Sequence, residues 1–282
     1  MTAPFSGCSA DPGVDLQAPF DVAVIIPTVL RPTLADALQS VFAQRFPGRI
    51  QVLVGIDAPL GDASLLARAC EGRPSNVVVQ ALYPGYSTSV RHGGLHPARD
   101  GGVLRVLLSY LANSRRITFL DDDNWWHPDH LAGMVAALDG HDWAWALRWF
   151  VHPHTRRPVC IDEWESIGPG RGCFAKTHGG WVDPNGVMFD KLACEPVLRW
   201  WAIPVPGDAK AMSADRQVFH LLNTNYRGRG TDSATVFYQV DESDDMHRFR
   251  QSWMGERYVH AGIPEPAGGG ASSASAAGTG PA

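Results

Sequence analysis

No apolar run in this 282-residue chain approaches the roughly 18–20 residues a bilayer-spanning helix needs. The strongest, residues 22–26, stops at Pro27. A membrane-embedded enzyme is therefore not expected. Residues 1–19 carry neither a basic leader nor an apolar stretch, so no secretory signal is read there and a cytoplasmic location is expected. Cysteine is sparse: Cys8, Cys70, Cys160, Cys173 and Cys194 are odd in number and form no CxxC pair. That argues against a disulfide framework or a four-cysteine zinc site and for reduced thiols. Positive charge is in deficit, 24 Lys plus Arg against 29 Asp plus Glu, a net −5. Such a chain has no electrostatic footprint for nucleic acid or an anionic membrane.

What is present is an ordinary globular composition, 45% hydrophobic and 19% charged, with no internal repeat. Residues 264–282 hold only Gly, Ala, Ser, Pro, Thr and one Glu, too little apolar surface to offset ordering, so a disordered tail is expected. Residues 1–19 read as a loose arm, and residues 20–263 as one continuous domain.

The first half of that domain alternates short strands with amphipathic helices. Residues 22–26 and 51–56 are apolar runs of strand length, as strands buried on both faces should be. Residues 76–80 and 117–120 supply a third and a fourth. Between them, Leu34, Leu38, Val41 and Phe42, with Thr33 and Asp36 as a cap, mark one helix. Leu104, Leu107, Leu108 and Leu111 mark a second, within residues 102–113. Leu131, Met134, Val135 and Leu138 mark a third, with Pro128 suited to its first position. Strand–helix–strand at these lengths implies an α/β fold with a mostly parallel central sheet. The second half reads as a smaller, mixed region. Residues 143–150 alternate, with Trp143, Trp145 and Trp149 on one face, read as core. Asp183-Pro184-Asn185-Gly186 reads as a hairpin turn. A helix starts near Ser213, carrying Val218, Leu221 and Leu222, with His220 read as packed within it.

In an open parallel sheet, ligands bind outside the carboxyl ends of the strands. The first strand there runs into Pro27-Thr28-Val29-Leu30-Arg31-Pro32, the second into Asp57-Ala58-Pro59, and the fourth into Asp121-Asp122-Asp123-Asn124. In an extended segment Asp121 and Asp123 share a face. Two carboxylates at the tip of a buried strand repel unless a hard cation lies between them, and Mg²⁺ or Mn²⁺ suits such oxygens. The alternative is a solvated acidic turn ahead of the next helix.

These three segments in this order resemble the GT-A glycosyltransferases, most closely family 2: Val24-Ile25-Ile26-Pro27-Thr28 with Arg31-Pro32, then Val52-Leu53-Val54-Gly55-Ile56-Asp57, then Ile117-Thr118-Phe119-Leu120-Asp121-Asp122-Asp123. The likeness covers residues 21–129 well and the rest in outline. It implies a GT-A, Rossmann-like nucleotide-binding fold and a nucleotide-sugar donor, most often a UDP-sugar. It also implies a metal-dependent transfer to an acceptor hydroxyl, with inversion at the sugar. By the same resemblance, Pro27, Thr28 and Arg31 line the nucleotide cleft and Asp57 meets the uracil ring. Asp121, with Asp122 beside it, faces the ribose, and Asp121 and Asp123 form the DxD pair for Mn²⁺ or Mg²⁺. The chain departs from the family after Asp57, where Ala58-Pro59-Leu60-Gly61-Asp62 replaces an acidic, Gly-Ser-rich continuation.

The family's general base is an Asp at the start of a helix well after DxD, a place matched by Asp215 in Ser213-Ala214-Asp215-Arg216. The alternative is an acid that serves the helix dipole alone. Thr177-His178-Gly179-Gly180-Trp181 resembles the loop beside the donor sugar, so Gly179, Gly180 and Trp181 are candidates; a strand turn with a core Trp is the other reading. His247, in Asp244-Asp245-Met246-His247, stands where many GT-A enzymes place a third metal ligand, or is simply a surface residue. Trp125 follows the acids and is placed near donor or acceptor, and Trp200-Trp201 is an acceptor platform or a buried pair. A carbohydrate, a lipid-linked group or a small molecule could be the acceptor. A sugar-nucleotide nucleotidyltransferase is set aside because the loop after the first strand has no glycine, and a processive synthase because no Gln-x-x-Arg-Trp is present. A non-catalytic nucleotide-sugar-binding module stays open as the alternative to an enzyme.

Overall fold

The computed structural model describes residues 7–62, 64–99, 101–204 and 214–264. The tail expected at 264–282 and the Ser213 helix cap thus fall outside the described residues, apart from position 264. Along the chain come β1 (Gly7–Ser9), β2 (Val22–Thr28), α1 (Leu34–Phe42), β3 (Ile50–Ile56), α2 (Ser64–Cys70), β4 (Val77–Leu82), α3 (Gly102–Leu111) and β5 (Arg116–Phe119). Next are β6 (Trp125–Trp126), α4 (His130–Leu138), β7 (Trp143–Val151), β8 (Pro158–Ile161), β9 (Gly168–Pro169), α5 (Ala175–His178), β10 (Gly180–Trp181) and β11 (Val187–Asp190). The last are α6 (Glu195–Leu198), α7 (Ala214–Asn225), β12 (Gly228–Gln239), α8 (His247–Met254) and α9 (Glu256–Gly262).

One mixed sheet organises the fold, in the order β1-β4-β3-β2-β5-β11-β7-β12-β6, with β8 paired to β7. Its heart, β4-β3-β2-β5, is parallel, and β2 and β3 are buried along their whole length. Alternation along β2 explains this: Val22, Val24 and Ile26 feed the layer built on α1, α2 and α4, while Ala23 and Ile25 feed the layer with α3, α6 and α7. A smaller cluster of Phe150, Cys160, Val240, Met254 and Tyr258 seats α8 and α9. Connections run from β2 outward to β4 and then back across to β5. The gap between the carboxyl ends of β2 and β5 is therefore a topological switch point, where open α/β sheets bind ligands.

Several expectations need correction. The described part of the residue 1–19 arm is tied down: β1 pairs antiparallel with β4, Arg49 donates to the Asp15, Ala18 and Pro19 carbonyls, and Asp11 pairs with Arg73. Thr33 makes no side-chain cap bond, and Pro128 precedes the first helical residue of α4, His130, by two positions. Asp183–Gly186 is not a hairpin turn: its flanking strands separate, β10 pairing with β9 and β11 with β5 and β7. In β7 the more buried set is Ala144, Ala146, Arg148 and Phe150, leaving Trp145 and Trp149 half-buried, though Trp143 is core. His220 is exposed. All five cysteines are free thiols, and among the described residues no helix is long and apolar enough to cross a membrane.

Candidate active site

At the switch point lies a cleft of about 920 Å³. Pro27, Thr28 and Arg31 from the loop after β2 line it, as do Asp57 after β3, Asp121, Asp122 and Asp123 after β5, Trp181, and Asp215 on α7. The three strand-end loops converge as the sequence suggested. They are also bonded to one another: the Asp57 N–H donates to the Thr28 carbonyl at 2.9 Å, and the Thr28 hydroxyl to Asp122 at 2.6 Å.

The acidic cluster has a different shape from the one expected. The strand ends at Phe119, and Asp122 and Asp123 form a turn, so simple alternation does not run through them. Asp122 is 4% exposed and bonded to Thr28, while Asp123 meets Arg31 at 2.6 Å. Asp121 pairs with Arg105 of α3. Burial and the repulsion of Asp121 and Asp122 push the Asp123 carboxyl up to about 7, against the opposing pull of Arg31. Three carboxylates thus share two guanidinium groups, those of Arg31 and Arg105.

Asn185 grips Asp121 from the opposite side. Its Oδ1 accepts the Asp121 N–H at 2.5 Å and its Nδ2 donates to the Asp121 carboxylate at 3.0 Å and to Asp183 at 2.6 Å. At 1% exposure it has no water to fall back on. We expect Asn185→Ala to cost roughly 1–3 kcal/mol, the penalty for stranding buried polar partners, read as a shift in the urea midpoint.

Below the cleft, Arg148 bonds Asp162 at 2.9 Å and Glu165 and Asp183 at 2.6 Å each, with its guanidinium 4.1 Å from the Tyr238 ring. Arg250 of α8 closes the network by binding Glu165 through two nitrogens and Asp244 through a third. The C-terminal helices thereby fix the Asp241–Asp245 edge of the cleft, which Asp241, Asp244 and Asp245 line.

Asp215 is half-buried in the first turn of α7. Burial pushes its carboxyl up to about 6, opposed by Arg216. Trp201 joins Trp181 on this wall, with the Arg105 guanidinium 5.5 Å from the Trp201 ring. Gly101, the N-cap of α3, has φ 72° and room for no side chain, since a Cβ would lie 2.4 Å from Pro27.

Four candidates lie elsewhere. Trp125 is stacked on Phe237 and covered by Arg156, beside Asp36 and Gln39 in a separate surface hollow. Gly179 ends α5, and Gly180 pairs with Pro169, its Cβ position 2.3 Å from the Gly168 carbonyl oxygen; both serve the β9–β10 turn. His247 opens α8 with its ring against Tyr258, away from the cleft acids. Its neighbours Asp244 and Asp245 reach the cleft instead. The sequence reading missed Arg99, Arg105, Arg148, Asp183, Asn185 and Arg250. The available signals were a charge on the apolar face of α3 (Arg105) and on the Ala-rich face of β7 (Arg148).

No protein-family model and no curated protein sequence matches the chain. Solved structures do. TarS residues 1–349 from S. aureus superpose with a TM-score of 0.54 at 15% identity over 86% of this chain and 71% of that one. The complex of that protein with UDP-GlcNAc gives 0.52 at 17%, covering 86% and 68%. The mannosyltransferase PcManGT from Pyrobaculum calidifontis, in complex with GDP-Man and Mn²⁺, gives 0.53 at 15%, covering 90% and 70%. The chain has the GT-A fold. In GT-A terms, the α/β half with β2, β3 and β5 carries the loops at the switch point, and the mixed half from β7 onward brings Trp181, Asp183 and Asp215 to the same cleft.

Proposed function

We propose that the chain is a metal-dependent, inverting, family 2-like glycosyltransferase that moves a sugar from a nucleoside-diphosphate sugar to an acceptor hydroxyl. One observation carries the reading: a single cleft at the switch point is lined by the Asp121–Asp123 cluster, Asp57 and Asp215. The GT-A neighbours seen with UDP-GlcNAc, and with GDP-Man and Mn²⁺, support it.

The cluster fits a divalent cation. Among the described residues no group of three or more His, Cys, Asp or Glu side chains forms a cation cage. Mg²⁺-type sites, however, commonly use one or two carboxylates plus substrate phosphates. Burial first, then the repulsion of Asp121 and Asp122, raises Asp123; the three carboxylates outnumber the guanidinium groups of Arg31 and Arg105, and the remaining negative charge is what a cation would neutralise. Asp121 and Asp123 would hold Mn²⁺ or Mg²⁺, which when bound supplies Lewis-acid stabilisation of the departing diphosphate.

The chain's own residues do the remainder. Asn185 and Arg105 fix Asp121, and Arg31 fixes Asp123. Asp215, at the start of α7, would accept the acceptor hydroxyl proton as the bond from oxygen to the sugar carbon forms. Trp181 and Trp201 reach the cleft only at their edges: they are 5% and 3% exposed and packed in the apolar core against Phe174 and Phe119, as a core Trp and a buried residue rather than sugar platforms.

A base must be ionised before it acts. The Asp215 carboxylate is protonated below its raised pKa of about 6 and ionised above it. We therefore expect kcat/KM, measured at saturating Mn²⁺ so that Asp123 stays ionised, to fall as pH drops through about 6, an acid limb above the ordinary carboxylate range, and the limb to vanish in Asp215→Asn. The direct test of the proposal is release of nucleoside diphosphate from nucleotide sugars with added Mn²⁺. A binding module of the same fold would hold the donor intact.

A further inference from the structure

The way Asp57 is held bears on which base the cleft takes. Its carboxylate, 5% exposed, is the one member of a three-residue arrangement that lines the cleft. Oδ1 accepts both the Thr88 backbone N–H, at 2.8 Å, and the Thr88 hydroxyl, at 2.6 Å. Oδ2 accepts the Ser87 hydroxyl at 2.7 Å. That hydroxyl also lies 3.2 Å from the Ser89 carbonyl, but the shorter contact to a charged acceptor is the stronger. A carboxylate offers about four acceptor positions, two on each oxygen. Oδ1 is therefore saturated, and Oδ2 keeps one.

We propose that Thr88 is a positioning residue that selects the donor's base by saturating Oδ1, while Ser87 holds Oδ2, leaving Asp57 a single acceptor position that suits uracil and refuses guanine. This deepens the nucleotide-sugar reading above and rests on it. Uracil presents one imide N–H between two carbonyls, and the free position on Oδ2 satisfies it. Guanine presents N1–H and an N2 amine side by side, and pairing them with a carboxylate needs one free position on each oxygen. With Oδ1 saturated, one guanine N–H is buried without a partner. The two bases are those carried by the donors seen with neighbours of this fold, UDP-GlcNAc and GDP-Man.

Calorimetric titration of the full chain with UDP and with GDP, both in the presence of Mn²⁺, tests the selector. UDP should bind roughly ten- to a hundredfold more tightly, the factor that goes with one stranded buried donor. Thr88→Val frees a position on Oδ1 and should narrow that ratio by about tenfold. Thr88→Ser keeps the hydroxyl and should keep the ratio. Ser87→Ala frees only a second position on Oδ2, so it should keep the ratio too. Thermal melting establishes that each variant is folded, and the wild-type ratio alone decides the matter if Thr88→Val is not. Equal affinities for UDP and GDP in the wild type would overturn the selector and leave the nucleotide reading standing. Binding of neither would overturn both.

Discussion

Asp215→Asn is expected to lower turnover by ~10²–10⁴-fold, the usual contribution of a positioned base, while donor affinity stays within about twofold of wild type. The amide is nearly isosteric with the acid but cannot take a proton. Asp215 lines the cleft from α7, an element apart from the strand-end loops that carry the residues assigned to the nucleotide. The split between an unchanged donor Kd and a collapsed kcat is what separates a base from a structural acid. Donor binding by titration and single-turnover transfer measure the two halves independently. Unchanged turnover would leave Asp215 with only its helix-terminal role.

Arg148→Leu has the second large expected effect, on stability. Arg148 is 1% exposed and meets three carboxylates, those of Asp162, Glu165 and Asp183. Removing the cation leaves that cluster with Arg250 alone, and Asp162 and Asp183 are themselves at most 4% exposed. Breaking a buried ion pair from one side costs about 3–5 kcal/mol, because the other side stays charged and dry. Urea unfolding should register a loss of that size. Arg148→Lys should recover only part of it, since an ammonium cannot match the fork that reaches three acids at once. A loss under about 1 kcal/mol would mean that the network relaxes or admits water.

The parallel half of the fold was legible because its signals are local. β2 and β3 are apolar along most of their buried length, with Thr28 and Gln51 the polar exceptions, and α1 buries the apolar face read from its spacing. In α3 only half of the expected face is inside: Leu104 and Leu108 are buried with Arg105 and Ser109, while Leu107 and Leu111 are exposed. The acids after β5 were legible as a cluster but not as a turn. Their final shape is set by Thr28, Arg31, Arg105 and Asn185, which lie 16 to 94 positions away in sequence. Asp183–Gly186 shows the same limit: its Pro-Asn-Gly run has hairpin chemistry, yet the strands on either side find partners in different sheets. β7 misled for a third reason. Bulk suggested that the Trp face was the inner one, whereas Ala144 and Ala146 are small because α4 and the neighbouring strands crowd that side. Trp125 was drawn to the cleft by its place next to the acids, and its pairing in β6 with Phe237 carries it to the other side of the strand end.

The most direct measurement is the affinity of the full chain for UDP with and without Mn²⁺, in the wild type and in Asp123→Ala. The account predicts binding that tightens at least ~10-fold when Mn²⁺ is added, and an Asp123→Ala protein that folds normally but loses the metal dependence. UDP affinity that ignores the metal in both proteins would contradict it.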